Sequence, residues 1–435
     1  MVINMECLIG MRMMLADNSI DAVVTDPPYG LSKQPDMNEV LRHWLNGDDY
    51  VHTGGGFMGK TWDSFVPGPS VWKEVFRVLK PGGHLLAFFG TRTYDLGTLA
   101  IRLAGFEIRD QIDWVYGSGF PKSLDVSKAI DKASGVEFNA IPASGVGFMN
   151  AEGQNGYNIT KNQLIRSGES TDAAKQWEGW GTALKPAHEP ICVARKPLAG
   201  TVAENILQFG TGGMNIDGCR IGDEKITQHG RSDGENRSMH GRNYAEESGR
   251  GWEGRWPANL IHDGSDEVVS LFPSKAGAAA PVKGTEQSKV TNGIYGKFND
   301  RVPGQFYSDS GSAARFFYCA KASKSDRDEG VMLAMVTAAE MTDREPDTDG
   351  LNSPRAGAGR ISGARNNHPT VKPTALMQWL VRLVTPPGGK VLDPFTGSGS
   401  TGKACAIEGF DFIGFEMDPH YCEIAKQRIA YVHNR

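Results

Sequence analysis

The stretch VLDPFTGSGSTG at residues 391–402 predicts the fold of this chain. Its apolar start predicts a buried strand that ends in Asp393, and the chain then turns through Gly397 and Gly399 into a helix. Glycines at such a turn allow the backbone to approach a ligand at the carboxyl end of a strand. The next predicted strand, in FDFIGFEMD, ends near Glu416, where an acid can bind ribose hydroxyl groups. The stretch therefore indicates a Rossmann-like turn that binds a nucleoside.

Two other interpretations of this turn remain open at the level of sequence. An ordinary tight turn would leave Glu416 in solvent, and a nicotinamide enzyme would bind a dinucleotide there. The turn has the pattern Gly-x-Gly-x-Thr instead of the full pyrophosphate fingerprint, and nothing beside it suits two phosphates. A cationic nucleoside without phosphates therefore fits the pattern better.

Helix and strand patterns alternate over residues 1–120 and return over residues 366–435. Such alternation is typical of an α/β protein with a doubly wound parallel sheet and helices on both faces. Glycine, serine, asparagine and charged residues dominate residues 121–365, although 178–200 ends in a strand-like pattern. We therefore expect the two ends to form one sheet, with a long insertion whose residues 178–200 rejoin it.

Prolines and glycines predict two further boundaries. In DAVVTDPPYGL, residues 21–31, a strand must stop at Pro27 and Pro28, because proline has no N–H group to donate to a neighbouring strand. Asp26 and Tyr29 are therefore held together at the end of that strand. In PSVWKEVFRVLKPGGHLLAFFG, a helix is predicted to stop at Pro-Gly-Gly, with the next strand in HLLAFFG.

The composition is that of an ordinary globular protein. Hydrophobic residues make up 39% and charged residues 22% of the 435 residues, and the net charge of -5 gives no general attraction for nucleic acid. The 54 glycines, nearly twice the usual share of about 7%, indicate long irregular loops. The six cysteines lack disulfide or metal-site spacing, so we expect reduced, mostly buried thiols and no metal. The absence of an export signal or membrane-spanning run predicts a cytoplasmic protein without membrane contact.

Together, TDPPYG and DPFTGSGSTG resemble the motifs of the DNA amino-methyltransferases, which use S-adenosylmethionine. DPPY resembles the catalytic motif of that family, and Phe-x-Gly-x-Gly resembles its cofactor motif. The catalytic motif comes first, as in the circularly permuted beta group. The resemblance implies a Rossmann-like sheet made from residues 1–120 and 366–435, with 121–365 as the target-recognition insertion. It also implies double-stranded DNA as partner and a possible homodimer, while a restriction partner stays unknown.

The chemistry of amino methylation explains the residues of the first motif. The lone pair of an exocyclic amino group is delocalised into the base, so it attacks a methyl group poorly unless it is localised. Asp26 and the carbonyl group of Pro27 can each accept one N–H bond from that amino group, and Pro28 stiffens the turn. Tyr29 offers a face on which an extruded base can stack. These four residues are the predicted catalytic set.

The resemblance also implies a set of cofactor contacts. NNHPTVKP at residues 366–373 resembles the segment that binds the methionine portion, and the acid in NMECLIGM stands where the family often has an aspartate near the adenine. Trp114, Tyr116 and Phe120 are placed near the target base by the same resemblance, or in the core by their strand pattern. The predicted cofactor residues are Glu6, Thr370, Lys372, Asp393, Pro394, Phe395, Gly397, Gly399, Thr401 and Glu416.

Arginines of the insertion are the predicted DNA contacts. Residues 230–257 carry Arg231, Arg237 and Arg242 on a glycine-rich backbone with interleaved tryptophans, although nearby acids almost cancel the charge. Residues 353–367 carry Arg355, Arg360 and Arg365 without an acid, so this segment is the better candidate for contacts with phosphate.

The motifs leave alternatives for the activity. An aspartate as first residue of the catalytic motif favours adenine N6 as target by family resemblance, whereas cytosine-N4 enzymes more often have serine there. A DNA-binding regulator with the same fold and no turnover is the alternative outside the class. The intact Asp26, Tyr29, Gly397 and Gly399 argue against the regulator.

Overall fold

The computed structural model describes residues 1–31, 34–52, 61–119, 123–136, 139–142, 164–167, 170–227, 251–276, 311–321, 323–337 and 364–434. The strands of this part are β1 (Val2–Asn4), β2 (Ile20–Thr25), β3 (Leu79–Phe88), β4 (Glu107–Val115), β5 (Asn139–Pro142), β6 (Leu164–Ser167), β7 (His188–Arg195), β8 (Ile221–Thr227), β9 (Gly251–Arg255), β10 (Leu260–His262), β11 (Tyr318–Cys319), β12 (Lys390–Asp393) and β13 (Asp411–Glu416).

Nine strands form one sheet in the order β1-β13-β12-β2-β3-β7-β4-β10-β11. Strand β7 runs antiparallel to its neighbours β3 and β4, and the other paired strands run parallel. The two ends of the chain meet where β12 pairs with β2, with Leu392 opposite Val23. The prediction of one mostly parallel α/β sheet built from both ends of the chain is confirmed. Strands β5 and β6 form a separate hairpin-like pair, as do β8 and β9.

The α-helices of the described part are α1 (Cys7–Met14), α2 (Met37–Asn46), α3 (Pro69–Val78), α4 (Tyr94–Leu103), α5 (Val126–Ala133), α6 (Asp172–Gln176), α7 (Val202–Phe209), α8 (Asp266–Val269), α9 (Lys324–Asp328), α10 (Thr374–Val384), α11 (Ser400–Glu408) and α12 (Pro419–His433). Single 3-10 turns lie at Thr61–Asp63, Asp217–Cys219 and Ala313–Phe316.

Two apolar cores cover the two faces of the sheet. In β3, Leu86 and Phe88 belong to the core that contains α10, whereas Leu85 and Ala87 belong to the core that contains α1, α3 and α4. The alternation follows from the two-residue period of a strand, which sends successive side chains to opposite faces. Helices on both faces keep the sheet dry, so its polar groups are exposed mainly at the strand ends.

The predicted boundary at Pro-Gly-Gly is wrong. Helix α3 ends at Val78, and β3 begins directly at Leu79, so Pro81 and Gly82 lie inside the strand. The segment after β7 provides partners for this irregular backbone: Asn205 and Thr211 donate to the Pro81 carbonyl group, and Gly82 N–H donates to the carbonyl of Lys196. These partners are distant in sequence, so the local pattern could not show them.

The insertion contributes more to the sheet than its residues 178–200. That stretch contains β7, and β10 and β11 add two further parallel strands beyond β4. All six cysteines are free thiols, five of them buried, as expected. Within the described ranges, every helix is too short or too polar to cross a membrane.

Candidate active site

A cleft of about 1490 Å³ opens at the carboxyl ends of β2, β12 and β13. Asp26 follows β2, Asp393 ends β12 and Glu416 ends β13, so three acids reach one edge of the sheet. Parallel strands place their carboxyl ends on the same side, and such edges are where open α/β sheets bind ligands. The cleft is lined by residues of both sequence motifs, which stand more than 360 positions apart.

Two side chains outside the motif hold the DPPY backbone in place. The carboxylate of Asp63 accepts hydrogen bonds from the N–H groups of Tyr29 (2.7 Å) and Gly30 (3.2 Å). The hydroxyl of Thr93, which is fully buried, donates to the Tyr29 carbonyl group at 2.6 Å. Gly30 has φ +63°, and a Cβ there would lie 2.9 Å from the backbone of Phe65. The turn is therefore fixed in a conformation that presents Asp26 to the cleft.

The side chains of the motif form a closed ring of contacts with Lys372 and Glu189. The Tyr29 hydroxyl lies 2.8 Å from Asp26 Oδ1 and 3.0 Å from Glu189 Oε2. The Lys372 ammonium lies 2.7 Å from Asp26 Oδ2 and 3.1 Å from Glu189 Oε2. Lys372 also stands above the rings of Tyr29 and Phe88 at 5.3 and 5.1 Å from their centroids. The structure thus brings Lys372, predicted as a cofactor contact, onto the catalytic motif.

The environment fixes the protonation of both donors in this ring. Burial raises the pKa of Tyr29 well above its usual value, and the neighbouring Asp26 and Glu189 add to the effect. Burial alone would lower the pKa of Lys372, but its two carboxylate partners outweigh burial and raise it. At neutral pH the phenol therefore keeps its proton and the lysine keeps its charge.

Asp393 organises the glycine turn from inside the protein. Its Oδ1 accepts from the Thr25 hydroxyl (2.6 Å) and the Phe395 N–H group (3.1 Å), and its Oδ2 accepts from Thr401 (2.6 Å). The residue is only 2% exposed, and burial raises its pKa to about 6. Asp393 and Thr401 therefore join the turn to β2, and their side-chain bonds are directed inward.

Glu416 is the acid that faces the cleft from the third strand. It accepts hydrogen bonds from the N–H groups of Gly397 and Asp418, both at 2.8 Å, and burial raises its pKa to about 7. A carboxylate has about four lone-pair sites, so two accepted bonds leave acceptor capacity for a ligand. The role of Glu416 in binding hydroxyl groups stays a prediction.

The two glycines of the turn are required by protein packing. Gly397 and Gly399 have φ of +51° and +80°, which favour glycine. A Cβ at Gly399 would lie 2.8 Å from Cα of Ala425 in α12, and one at Gly397 would lie 2.8 Å from the ring of His368. Close approach of a ligand to these glycines stays a prediction. The close approach of α12 is a second reason for glycine at position 399.

The remaining predicted residues are spread around the same cleft. Glu6 lines it, and its carboxylate caps α1 by accepting from the N–H groups of Leu8 and Ile9. Thr370 is exposed at the rim. Tyr116 lines the cleft, whereas Trp114 is 9% exposed and packs in the core. The other lining residues with a predicted role are Pro27, Pro28, Pro394 and Phe395.

Most of the predicted DNA contacts lie outside the described residues. Arg231, Arg237, Arg242, Arg355 and Arg360 belong to this group, as does Phe120. Arg365 is described and exposed, and its guanidinium donates to the carbonyl group of Val331 at 3.2 Å.

Sequence reasoning missed several residues of the site. Asp63, Thr93 and Glu189 lie in no motif. His368 lies within NNHPTVKP but was not among the predicted contacts, and it stacks on Trp62 at a centroid distance of 6.1 Å. A group of three or more metal-ligating side chains is absent from the part of the chain that the structure describes.

A parallel sheet with acids and a glycine turn at its carboxyl edge is the architecture of nucleoside-binding enzymes. The family model described as DNA methylase matches residues 20–427, so the chain belongs to the DNA methylase family. Membership confirms the resemblance to the DNA amino-methyltransferases, and with it S-adenosylmethionine as the cofactor. The assignment to the beta group stays a prediction. The family covers enzymes for both adenine N6 and cytosine N4.

Individual relatives match over short segments. The putative methylase YubD of Escherichia coli K12 is 44% identical over 73 residues, which are 17% of this chain and 32% of that protein. The DNA adenine methyltransferase YhdJ of the same strain is 41% identical over 63 residues, 14% of this chain and 21% of that protein. The chain thus spans a third or less of the length of these relatives.

Among solved structures, the PvuII DNA methyltransferase (cytosine-N4-specific) aligns over 100% of this chain and 91% of its own chain. The sequence identity is 13% and the TM-score is 0.39.

Proposed function

We propose that this protein transfers a methyl group from S-adenosylmethionine to the N6 amino group of an adenine extruded from duplex DNA. One observation carries the proposal: the DPPY carboxylate and the glycine turn line a single cleft, and Thr25, which precedes Asp26, bonds directly to Asp393 at the start of the turn. A base held by Asp26 would therefore lie next to a nucleoside held by the turn.

The chain's own residues prepare the amino group. Asp26 accepts one of its N–H bonds and the carbonyl group of Pro27 accepts the other, which localises the nitrogen lone pair. Asp63 and Thr93 hold the backbone of this turn, so the two acceptors keep their relative direction without reorganisation. Tyr29 lines the cleft beside the other residues of the motif, and the extruded base can stack on its ring.

The cofactor part of the cleft fits a nucleoside with a free diol. Glu416 keeps unused acceptor sites toward the cleft, and Phe395 and Tyr421 supply apolar and aromatic surface beside it. When bound, S-adenosylmethionine supplies an electrophilic methyl group. We assign Glu416 to the ribose, Glu6 to the adenine side and Thr370 to the methionine side of this site. Glycine at position 397 would allow the backbone to approach the bound nucleoside.

The remaining predictions extend this proposal beyond the cleft. The arginines at 231, 237, 242, 355, 360 and 365 are proposed to contact DNA, with residues 121–365 as the region that recognises the target. A cytoplasmic location and a homodimer stay predictions.

Adenine is favoured over cytosine by Asp26 as the first residue of the motif and by the similarity to an adenine methyltransferase over 63 residues. The test is to methylate duplex DNA with labelled S-adenosylmethionine, digest it to nucleosides and separate them. We expect N6-methyladenine as the main product. N4-methylcytosine as the main product would reverse the base assignment, and the absence of any labelled nucleoside would refute DNA methylation.

A further inference from the structure

Glu189 stands at the catalytic centre although no motif includes it. The residue lies near the start of β7, the one strand of the main sheet that runs antiparallel to its neighbours, with Glu189 opposite Trp114 of β4. Its carboxylate is half-buried and contacts the Lys372 ammonium at 3.1 Å and the Tyr29 hydroxyl at 3.0 Å. The antiparallel strand therefore inserts a second carboxylate beside Asp26.

The charge of Lys372 creates a problem for the proposed chemistry. When the amino nitrogen attacks the methyl group, positive charge develops on that nitrogen, next to Asp26. Lys372 is 5% exposed and only 2.7 Å from Asp26, so its ammonium cancels most of the attraction that Asp26 would exert. Such cancellation is strong in a site with little water.

The second carboxylate restores the balance. Asp26 and Glu189 together carry two negative charges against the single positive charge of Lys372, so the cluster has a net charge of minus one. Because Lys372 is shared between the two carboxylates, it cancels only part of the negative charge of Asp26. The remaining charge can attract the positive charge that develops on the amino nitrogen of the base. Without Glu189 the same cluster would be neutral.

We propose that Glu189 is a positioning residue for methyl transfer, which holds and neutralises Lys372 so that Asp26 can stabilise the positive charge that develops on the amino nitrogen. This inference rests on the proposed function. It deepens that function by assigning the electrostatics of the same site to a residue of the insertion.

Four proteins test the charge balance: wild type, Glu189→Gln, Lys372→Met and the double variant. Methyl transfer from tritiated S-adenosylmethionine to DNA gives kcat and the KM for DNA, and calorimetry gives cofactor affinity. Glu423→Gln, an exposed acid on α12, is the matched control for loss of one negative charge.

The single variants should fail in different ways. Glu189→Gln should lower kcat by about tenfold with little change in the KM for DNA, because the lost interaction acts in the transition state. Lys372→Met leaves two adjacent carboxylates without a cation, so one of them should bind a proton at a higher pH than in wild type. The kcat of this variant should therefore decrease toward low pH with a higher apparent pKa than the kcat of wild type. Glu189→Asp, which keeps the charge, should stay within a few-fold of wild type.

The double variant distinguishes an electrostatic from a merely structural role of Glu189, because it restores the net charge of minus one. Its kcat should exceed that of Glu189→Gln by several-fold, whereas a merely structural role would make the two losses add. Other titratable groups that face the cluster are Tyr116, His368 and Asp393. Burial keeps the first two neutral near pH 7 to 9, and Asp393 is unchanged among all four proteins.

The outcomes separate the two proposals. A wild-type protein that transfers no methyl group would refute the proposed function. An active wild type with an equally active Glu189→Gln, or with a double variant no faster than Glu189→Gln, would overturn the role of Glu189 alone. A Glu189→Gln protein that fails to bind the cofactor would also overturn the electrostatic role, because the substitution is nearly isosteric and Glu189 is not a predicted cofactor contact.

Discussion

Affinity for S-adenosylmethionine should depend on pH through Glu416. Burial raises the pKa of this carboxyl to about 7, so in the free protein it holds its proton over much of the range below neutrality. Ribose hydroxyls donate to the ionised form, so cofactor binding favours loss of that proton. The affinity should therefore rise with pH and level off above about pH 7.

The magnitude follows from the position of the pKa. If only the ionised form binds well, the dissociation constant at pH 6 should be about tenfold higher than at pH 8, because one pH unit below the pKa leaves about a tenth of the molecules ionised. A glutamate with an ordinary pKa near 4.5 would give almost no change over this range.

Isothermal titration calorimetry at pH 6, 7 and 8 measures this directly. Glu416→Gln should bind more weakly at pH 8 and lose most of the pH dependence. The titration of Asp393 near pH 6 is shared by both proteins, so their difference isolates Glu416. A flat wild-type profile, or the same slope in the variant, would refute the assignment of Glu416 to the ribose.

Three further predictions concern packing, positioning and DNA. Gly399→Ala should lower the free energy of unfolding in urea by about 2 to 4 kcal/mol, because it combines a positive φ with a clash against Ala425. The control Gly409→Ala has φ +77° and open space around the new Cβ, so it should cost about 1 kcal/mol. Equal losses in the two variants would exclude the clash. Thr93→Val should lower kcat by about tenfold and leave cofactor affinity unchanged, since it removes only the donor to the Tyr29 carbonyl group; an unchanged kcat would show that this bond does not position the motif. Replacing Arg355, Arg360 and Arg365 with alanine should weaken DNA binding similarly on all sequences and reduce the slope of log K against log salt by about 2 to 3; an unchanged slope would remove these arginines as phosphate contacts.

The sequence was sufficient for the parts of the site that follow directly from strand ends. Asp26, Asp393 and Glu416 each stand at the carboxyl end of a short apolar run, and parallel pairing brings such ends together. The glycine turn was predictable for the same reason, because a strand and a helix bound it on both sides. The packing of Gly399 against Ala425 was not predictable, because Ala425 belongs to a later helix.

The residues that complete the site could not be predicted in this way. Asp63, Thr93 and Glu189 reach Tyr29 from 34, 64 and 160 positions along the chain. They lie in a 3-10 turn, a loop and the antiparallel strand β7. No local pattern specifies the register with which β7 enters between β3 and β4. The Pro-Gly-Gly of β3 was misread for a related reason, because its backbone partners come from the segment after that same strand.

The proposed mechanism requires that Asp26 organises an amino group for methyl transfer. Single-turnover transfer of tritiated methyl groups to DNA, measured for wild type and Asp26→Ala beside calorimetric affinities for cofactor and DNA, tests it most directly. We expect Asp26→Ala to transfer at least about 100-fold more slowly while its cofactor affinity changes little, because the glycine turn and Glu416 are untouched. A variant that binds cofactor and DNA and still methylates at nearly the wild-type rate would exclude this role of Asp26 and leave DPPY as a turn that ends a strand.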